Sequence, residues 1–192
     1  MIATDIGIMP RLKQETASHH SYTEQLLYTD KLMAATLSLA EYTQLLQVQA
    51  VFHSSLEQAI EKQASFFTGF DWQTRQKTGW LLADLQQLNQ PRSIPDSTLF
   101  ANWTGYQLLG ALYVAEGSML GGRFIAKALA RTPALLHAPT RFYTGYGDQT
   151  GPYWKAFGAY LTTRATNHED AVVQGAVQAF NSFSKISEAY SA

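Results

Sequence analysis

The sequence predicts an all-α fold, a multi-helical bundle in one domain spanning residues 1–192, and three observations carry that expectation. Apolar residues recur at helical spacing along most of the chain, and the strict alternation that marks strands is nearly absent. Apolar residues make up 46% and charged residues 15%, enough to bury a core and too apolar for a disordered chain. The proline- and glycine-rich stretches are too short to link two domains, and 192 residues fit one. Six to eight helices are expected.

Pro10 closes a short lead-in, after which Leu12, Thr16, Tyr22, Leu26 and Leu27 favour a helix from Leu12 to about Thr29. Ser38 followed by Glu41 has the spacing of a capping box, in which hydroxyl and carboxylate satisfy backbone donors reciprocally. The helix it opens should run to about Phe67, with Tyr42, Leu45, Leu46, Phe52, Leu56 and Ile60 inside. Thr68-Gly69 stops it. Asp71 is then placed to cap a third helix whose inner face is Trp72, Leu81, Leu82, Leu85 and Leu88. Asn89–Asp96, with Pro91 and Pro95, reads as a loop. A fourth helix is expected from about Ser97 to Ala115 and a fifth from Ser118 to Ala130. Thr132–Pro139 and Thr144–Pro152 read as turns, followed by helices over Pro152–Thr163 and Asn167–Tyr190.

Composition narrows the function. A net charge of −1 gives no electrostatic reason to expect nucleic acid. With no cysteine, the chain has no disulfide, no thiolate metal site and no cysteine nucleophile, which fits a reducing compartment. The N-terminus lacks the basic start and apolar core of a secretory signal, and no apolar run approaches the ~18 residues of a membrane span. The expectation is a cytoplasmic protein without membrane contact.

Two places are odd for a plain bundle. The first is His19-His20 with Glu24 downstream. Residues four apart share a helix face, so Glu24 can accept the Nδ1 proton of His20, fix its tautomer and leave Nε2 for a metal. The second is Glu116-Gly-Ser-Met-Leu-Gly-Gly122, set between apolar helical stretches. Each interior glycine costs a helix about 1 kcal/mol relative to alanine, so three within six residues ask for a reason. Glycines permit a kink, and they let a flat ligand approach the backbone.

Together these segments resemble the heme oxygenase family. Leu12-Lys-Gln-Glu-Thr-Ala-Ser-His-His-Ser-Tyr-Thr-Glu24 is similar to the family's proximal helix, and counting from the leucine places the ligand at His20 rather than His19. Leu112–Leu129 resembles the distal helix, in the EGS-x-LGG form of bacterial members that sit beside bacteriophytochromes. Phe70–Leu85 resembles the middle of the same bacterial sequences.

The resemblance implies an enzyme with heme as substrate and cofactor, which O₂ and reducing electrons convert to biliverdin, ferrous iron and CO. It implies a ferredoxin or a flavin reductase as electron donor, and a bacteriophytochrome as a candidate recipient of biliverdin. It makes His20 the axial iron ligand, Glu24 its hydrogen-bond partner, and Gly117 and Gly121 the distal backbone that steers oxygen toward one ring edge. Lys13 and Lys155 are then placed for the heme propionates, and Phe180 for the pocket wall. An imidazole ligand keeps iron able to bind O₂, and the protein's part is orientation and water placement. Two positions depart from the pattern. Ser118 stands where many members carry the aspartate that anchors proton-delivering waters, and Ala159 stands where a propionate arginine is expected, which brings in Arg164 and Lys185 as substitutes.

Two other classes compete. A di-iron oxidase needs inward carboxylates with Glu-x-x-His spacing, which the sequence lacks. A non-catalytic heme-binding protein on the same fold is the other, kept open by Ser118. His53 reads as a buried interhelical histidine, and His137 and His168 receive no role.

Overall fold

The computed structural model describes residues 6–91, 94 and 98–191, so Pro95, Asp96 and Ser97 of the expected loop and helix start lie outside the described residues. Among those described, every regular element is helical. There are nine α-helices, more than the expected six to eight because short helical segments count separately: α1 (Ile8–Glu15), α2 (Ala17–Leu26), α3 (Thr29–Met33), α4 (Leu39–Lys62), α5 (Thr78–Gln87), α6 (Gly105–Leu129), α7 (Arg141–Thr144), α8 (Thr150–Arg164) and α9 (Glu169–Ser191).

The helix expected over Leu12–Thr29 starts earlier and is interrupted at Thr16, where φ is −99° and ψ is 0°. The Thr16 hydroxyl donates to the Leu12 carbonyl at 2.7 Å, a back-bond that bends helices. The α4 capping box forms as expected. Ser38 Oγ accepts from Glu41 N at 3.3 Å, and Glu41 accepts from Ser38 N at 2.9 Å. Lys31 also binds the Glu41 carboxylate, and these partners together lower its pKa to about 2. α4 stops at Lys62 rather than Phe67, and its six expected core residues are all buried.

Asp71 caps no helix. Its carboxylate instead accepts from Arg75 Nε at 2.8 Å across a 3₁₀ turn, Trp72–Arg75, and α5 begins only at Thr78. The largest departure is α6. The expected fourth and fifth helices are one continuous helix, entered at Thr104 through a second capping box with Gln107. Helix stability in proteins comes mainly from a buried face, and α6 buries residues from Gly105 to Leu129. The interior glycines are therefore tolerated without a break.

α6 and α9 form the centre of the bundle. They cross at glycines. A Cβ on Gly110 would collide with the Val172 carbonyl and the Ala176 amide, and one on Gly175 with the Gln107 backbone. α4 packs on both, α5 lies on α4, and α7 and α8 flank α6. Gly122 serves packing too, because its missing Cβ makes room for the Tyr143 carbonyl of α7. α7 is held by the buried Asp84 carboxylate, which accepts from the Arg141 and Phe142 amides at 3.1 and 2.9 Å.

The glycines of α6 should therefore differ in cost. Gly110→Ala should destabilise by about 1–3 kcal/mol, the usual penalty of overpacking. Gly121→Ala meets nothing within 4 Å, and should be neutral or gain up to about 1 kcal/mol of helix propensity. Urea denaturation of the protein without added ligand checks the pair; equal effects would contradict the crossing.

Candidate active site

The candidate site residues lie on α2 and along one side of α6, and two ties hold these helices near each other. At one end the Tyr113 phenol of α6 lies beside the Thr16 hydroxyl at the start of α2, which works against the upward push of burial on its pKa. Beyond the other end of α2, α3 packs on α6. Between these anchors α2 leans on α9. Along the same side of α6 as Tyr113 run Gly117, Leu120, Gly121 and Phe124, at helical spacing. Leu120 and Phe124 are large apolar residues left 49% and 51% exposed, and a Cβ on Gly121 would meet open space. This face is apolar, partly backbone and uncovered, which suits a flat apolar ligand.

On the facing helix, His20 is exposed, with Glu24 Oε2 3.6 Å from its Nδ1, just beyond hydrogen-bonding distance. The buried Phe180 of α9 meets the His20 ring edge-on at 6.0 Å between centroids. The structure thus brings His20, Glu24 and Phe180 together on one wall, and Gly117 and Gly121 together on the other. Gly117 differs from Gly121, since the Trp154 ring lies 3.8 Å from where its Cβ would stand.

The cationic candidates separate. Met9 of α1 touches the Gly158 position of α8, while Thr16 and Trp154 both meet Tyr113, so the two helices run antiparallel. Lys13, one turn after Met9, and Lys155, one turn before Gly158, therefore lie toward the same end of the α1–α8 pair, the end nearer Tyr113. Both are exposed, and neither has an ion-pair partner among the described residues. Arg164 is committed elsewhere, with its guanidinium 4.3 Å over the Phe66 ring, and Lys185 is an exposed residue of α9. Ser118 is exposed, and its hydroxyl donates to the Ala115 carbonyl at 2.9 Å.

Sequence reasoning missed a buried ionic cluster beneath the glycine face of α6. Glu116, the residue before Gly117, has a side chain only 1% exposed. It accepts from Arg75 Nη1 at 3.0 Å, Lys77 Nζ at 2.7 Å and the Tyr146 hydroxyl at 2.9 Å. Burial opposes the charge on Arg75, but Asp71 and Glu116 more than offset it and its pKa is raised. Burial, followed by the adjacent Glu116 charge, keeps the Tyr146 phenol protonated. The missed signal was positional. Glu116 falls on the stripe Leu108, Leu112, Ala115, Met119, and a carboxylate on a buried stripe demands partners.

His53 is buried as expected, edge-on to Phe52 at 5.4 Å, and lines a small cavity with Glu57, Arg75, Lys77 and Leu112. Burial, and behind it the Lys77 charge, holds its imidazole neutral. His137 is exposed and His168 stacks on Tyr106 at 3.9 Å. No group of three or more His, Asp or Glu residues able to hold a metal occurs among the described residues, so the ligand set of a di-iron oxidase is not found there. No helix among those residues is long and apolar enough to cross a membrane.

The chain is similar to known proteins. The family model described as heme oxygenase matches residues 7–189. A protein named heme oxygenase from Xanthomonas campestris pv. campestris (strain 8004) is 35% identical over 128 residues, spanning 64% of this chain and 73% of that one. The NO- and CO-bound heme oxygenase of Neisseria meningitidis superposes with a TM-score of 0.78 at 23% identity, covering 96% of this chain and 92% of that one. Heme oxygenase from Leptospira interrogans gives 0.75 at 14% identity, covering 96% and 100%.

The ionic cluster generates its own test. Glu116→Ala leaves two buried cations without their shared carboxylate and should cost about 3–5 kcal/mol. Asp71→Ala removes a partner whose side chain is 52% exposed and should cost less than about 1 kcal/mol. Denaturant midpoints of the two variants decide; a mild Glu116 variant would mean that water reaches the cluster.

Proposed function

The chain belongs to the heme oxygenase family and is an enzyme that degrades heme with O₂ and reducing electrons; on that premise we propose that the slot between α2 and α6 holds the heme and that His20 binds its iron. The observation that carries this reading is the pairing of walls. An exposed imidazole, backed by Glu24 and Phe180, stands on one helix, and along the other run Gly117, with Trp154 beside it, and the open Gly121.

Bound heme supplies the iron at which O₂ reacts and the ring that is opened to biliverdin. The chain supplies position. Glu24, a small side-chain rotation from Nδ1, selects the tautomer that presents Nε2 and strengthens its donation. Phe180 limits the swing of the ring from below. Leu120 and Phe124 cover apolar ring surface, and Gly121 brings backbone close to the distal face. Lys13 and Lys155, both exposed toward one end of the slot, pair with the propionates at modest individual strength. Ser118 keeps free lone pairs after donating to Ala115, so it orients a water by accepting rather than by supplying the proton. The same reading makes the protein cytoplasmic, with a ferredoxin or flavin reductase as electron donor and a bacteriophytochrome as candidate recipient of the product.

The experiment is optical. Added hemin should give a Soret band, and reductant under air should turn it into a biliverdin spectrum; a stable Soret band would instead mark a heme-binding protein without turnover. His20→Ala should lose the axial-imidazole signature and activity, while His19→Ala keeps a near-parental Soret band. The reverse outcome would shift the ligand by one residue.

Gly121 tests the opposite wall. Gly121→Leu places a side chain where nothing stands within 4 Å of the Cβ position. It should fold, because leucine is the better helix former, and bind hemin through His20. It should not release biliverdin. Full turnover by this variant would remove Gly121 from the distal face.

A further inference from the structure

The segment Phe70–Leu85 resembles family sequences, yet none of its residues is among the heme contacts proposed above. Arg75 lies within it, and its guanidinium is shared between α6 and α8. Arg75 Nη1 donates to Glu116 Oε2 at 3.0 Å and to the Tyr153 carbonyl at 3.2 Å. Glu116 immediately precedes Gly117, and Tyr153 immediately precedes Trp154. The indole edge of Trp154 lies 3.8 Å from the Cβ position of Gly117, and its ring centre is 5.7 Å from that of Tyr113. One buried cation therefore joins the residue before the distal glycine to the residue before the ring that covers it.

The guanidinium is itself held from every side. Its side chain is 4% exposed, with Asp71 on Nε at 2.8 Å. The Phe70 and Tyr153 rings lie 4.7 and 4.5 Å from its central carbon. Lys77 occupies the other Glu116 oxygen at 2.7 Å, so it does not substitute at Tyr153.

We infer that Arg75 is a positioning residue, which fixes the height of Trp154 over Gly117 and thereby the ceiling of the heme slot beside Gly121. The inference rests on the slot assignment made above. Lysine at this position keeps the charge but lacks the planar fork that joins two acceptors and stacks between rings, so it holds one of α6 and α8 and releases the other.

The test compares the parent with Arg75→Lys, Trp154→Phe and the double variant. Two signals are read: the Trp154 indole N–H resonance without hemin, assigned by its loss in Trp154→Phe, and the C–O stretching band of the reduced, hemin-loaded protein under carbon monoxide. Arg75→Lys should displace the indole resonance and shift or split the C–O band. The double variant should show the C–O band of Trp154→Phe alone, because both changes act through one ring. A purely structural arginine would lower the melting temperature and leave both signals at parental positions, which would overturn the inference, as would additive band shifts. If Arg75→Lys fails to fold, Glu116→Gln loosens the opposite end of the clamp with little change of shape, and the same displacements are required of it. Failure of the parent to take up hemin would refute the slot assignment and the ceiling with it. Parental signals in a hemin-binding Arg75→Lys protein would refute the positioning role alone.

Discussion

The close backbone contact between α6 and α9 at Gly110 and Gly175 is the constraint from which the rest of the arrangement follows. Two helices that touch main chain to main chain have little freedom to slide or rotate, because any displacement drives a carbonyl into a Cα. The contact fixes which side of α6 faces the core. Leu108, Leu112, Ala115, Glu116 and Met119 turn inward, and Tyr113, Gly117, Leu120, Gly121 and Phe124 are left along another side. It also fixes α9, which brings Phe180 beneath His20. Both walls of the slot are thus referred to one crossing.

Burial of charge then sharpens the distal wall. A buried ion pair is weak evidence of stability, because desolvation offsets most of the Coulomb gain. Its geometric consequence is stronger. Glu116 accepts from three donors on two segments, Arg75 and Lys77 before α5 and Tyr146 after α7, and each loses this partner if α6 rotates. Apolar packing at the same place would permit small rotations at little cost. The distal helix, although carrying three glycines in its second half, is therefore held in register by side chains beneath it.

Much of this was legible from residue patterns, and the failures have physical causes. The α4 capping box was readable because its two residues are local and reciprocal. That His20 and Glu24 lie together on one helix face, and Gly117 and Gly121 on one face of another, was readable because helical spacing alone sets it. The continuity of α6 was not. Local propensity argues for a break at Gly117, Gly121 and Gly122, and the decision is tertiary: Gly122 admits the Tyr143 carbonyl and Gly110 admits α9. The Arg75–Glu116 pairing is likewise invisible locally, since its members are 41 residues apart. Only the misfit of one carboxylate on an apolar stripe signals that a partner exists.

The two walls differ in how their positions are determined, and this difference follows from burial. α6 has a buried face along most of its length, two glycine-mediated backbone contacts and an ionic cluster. α2 buries only Thr23 among its residues, and its neighbours Thr16 and α3 tie it to α6 at each end. Stability within a fold follows local burial, so the wall carrying His20 has little of its own and the wall carrying Gly121 has much. A flat ligand that contacts both adds apolar area chiefly to the weaker wall. On the reading proposed above, the glycine face would set where such a ligand lies, and the less buried histidine helix would be the one to adjust.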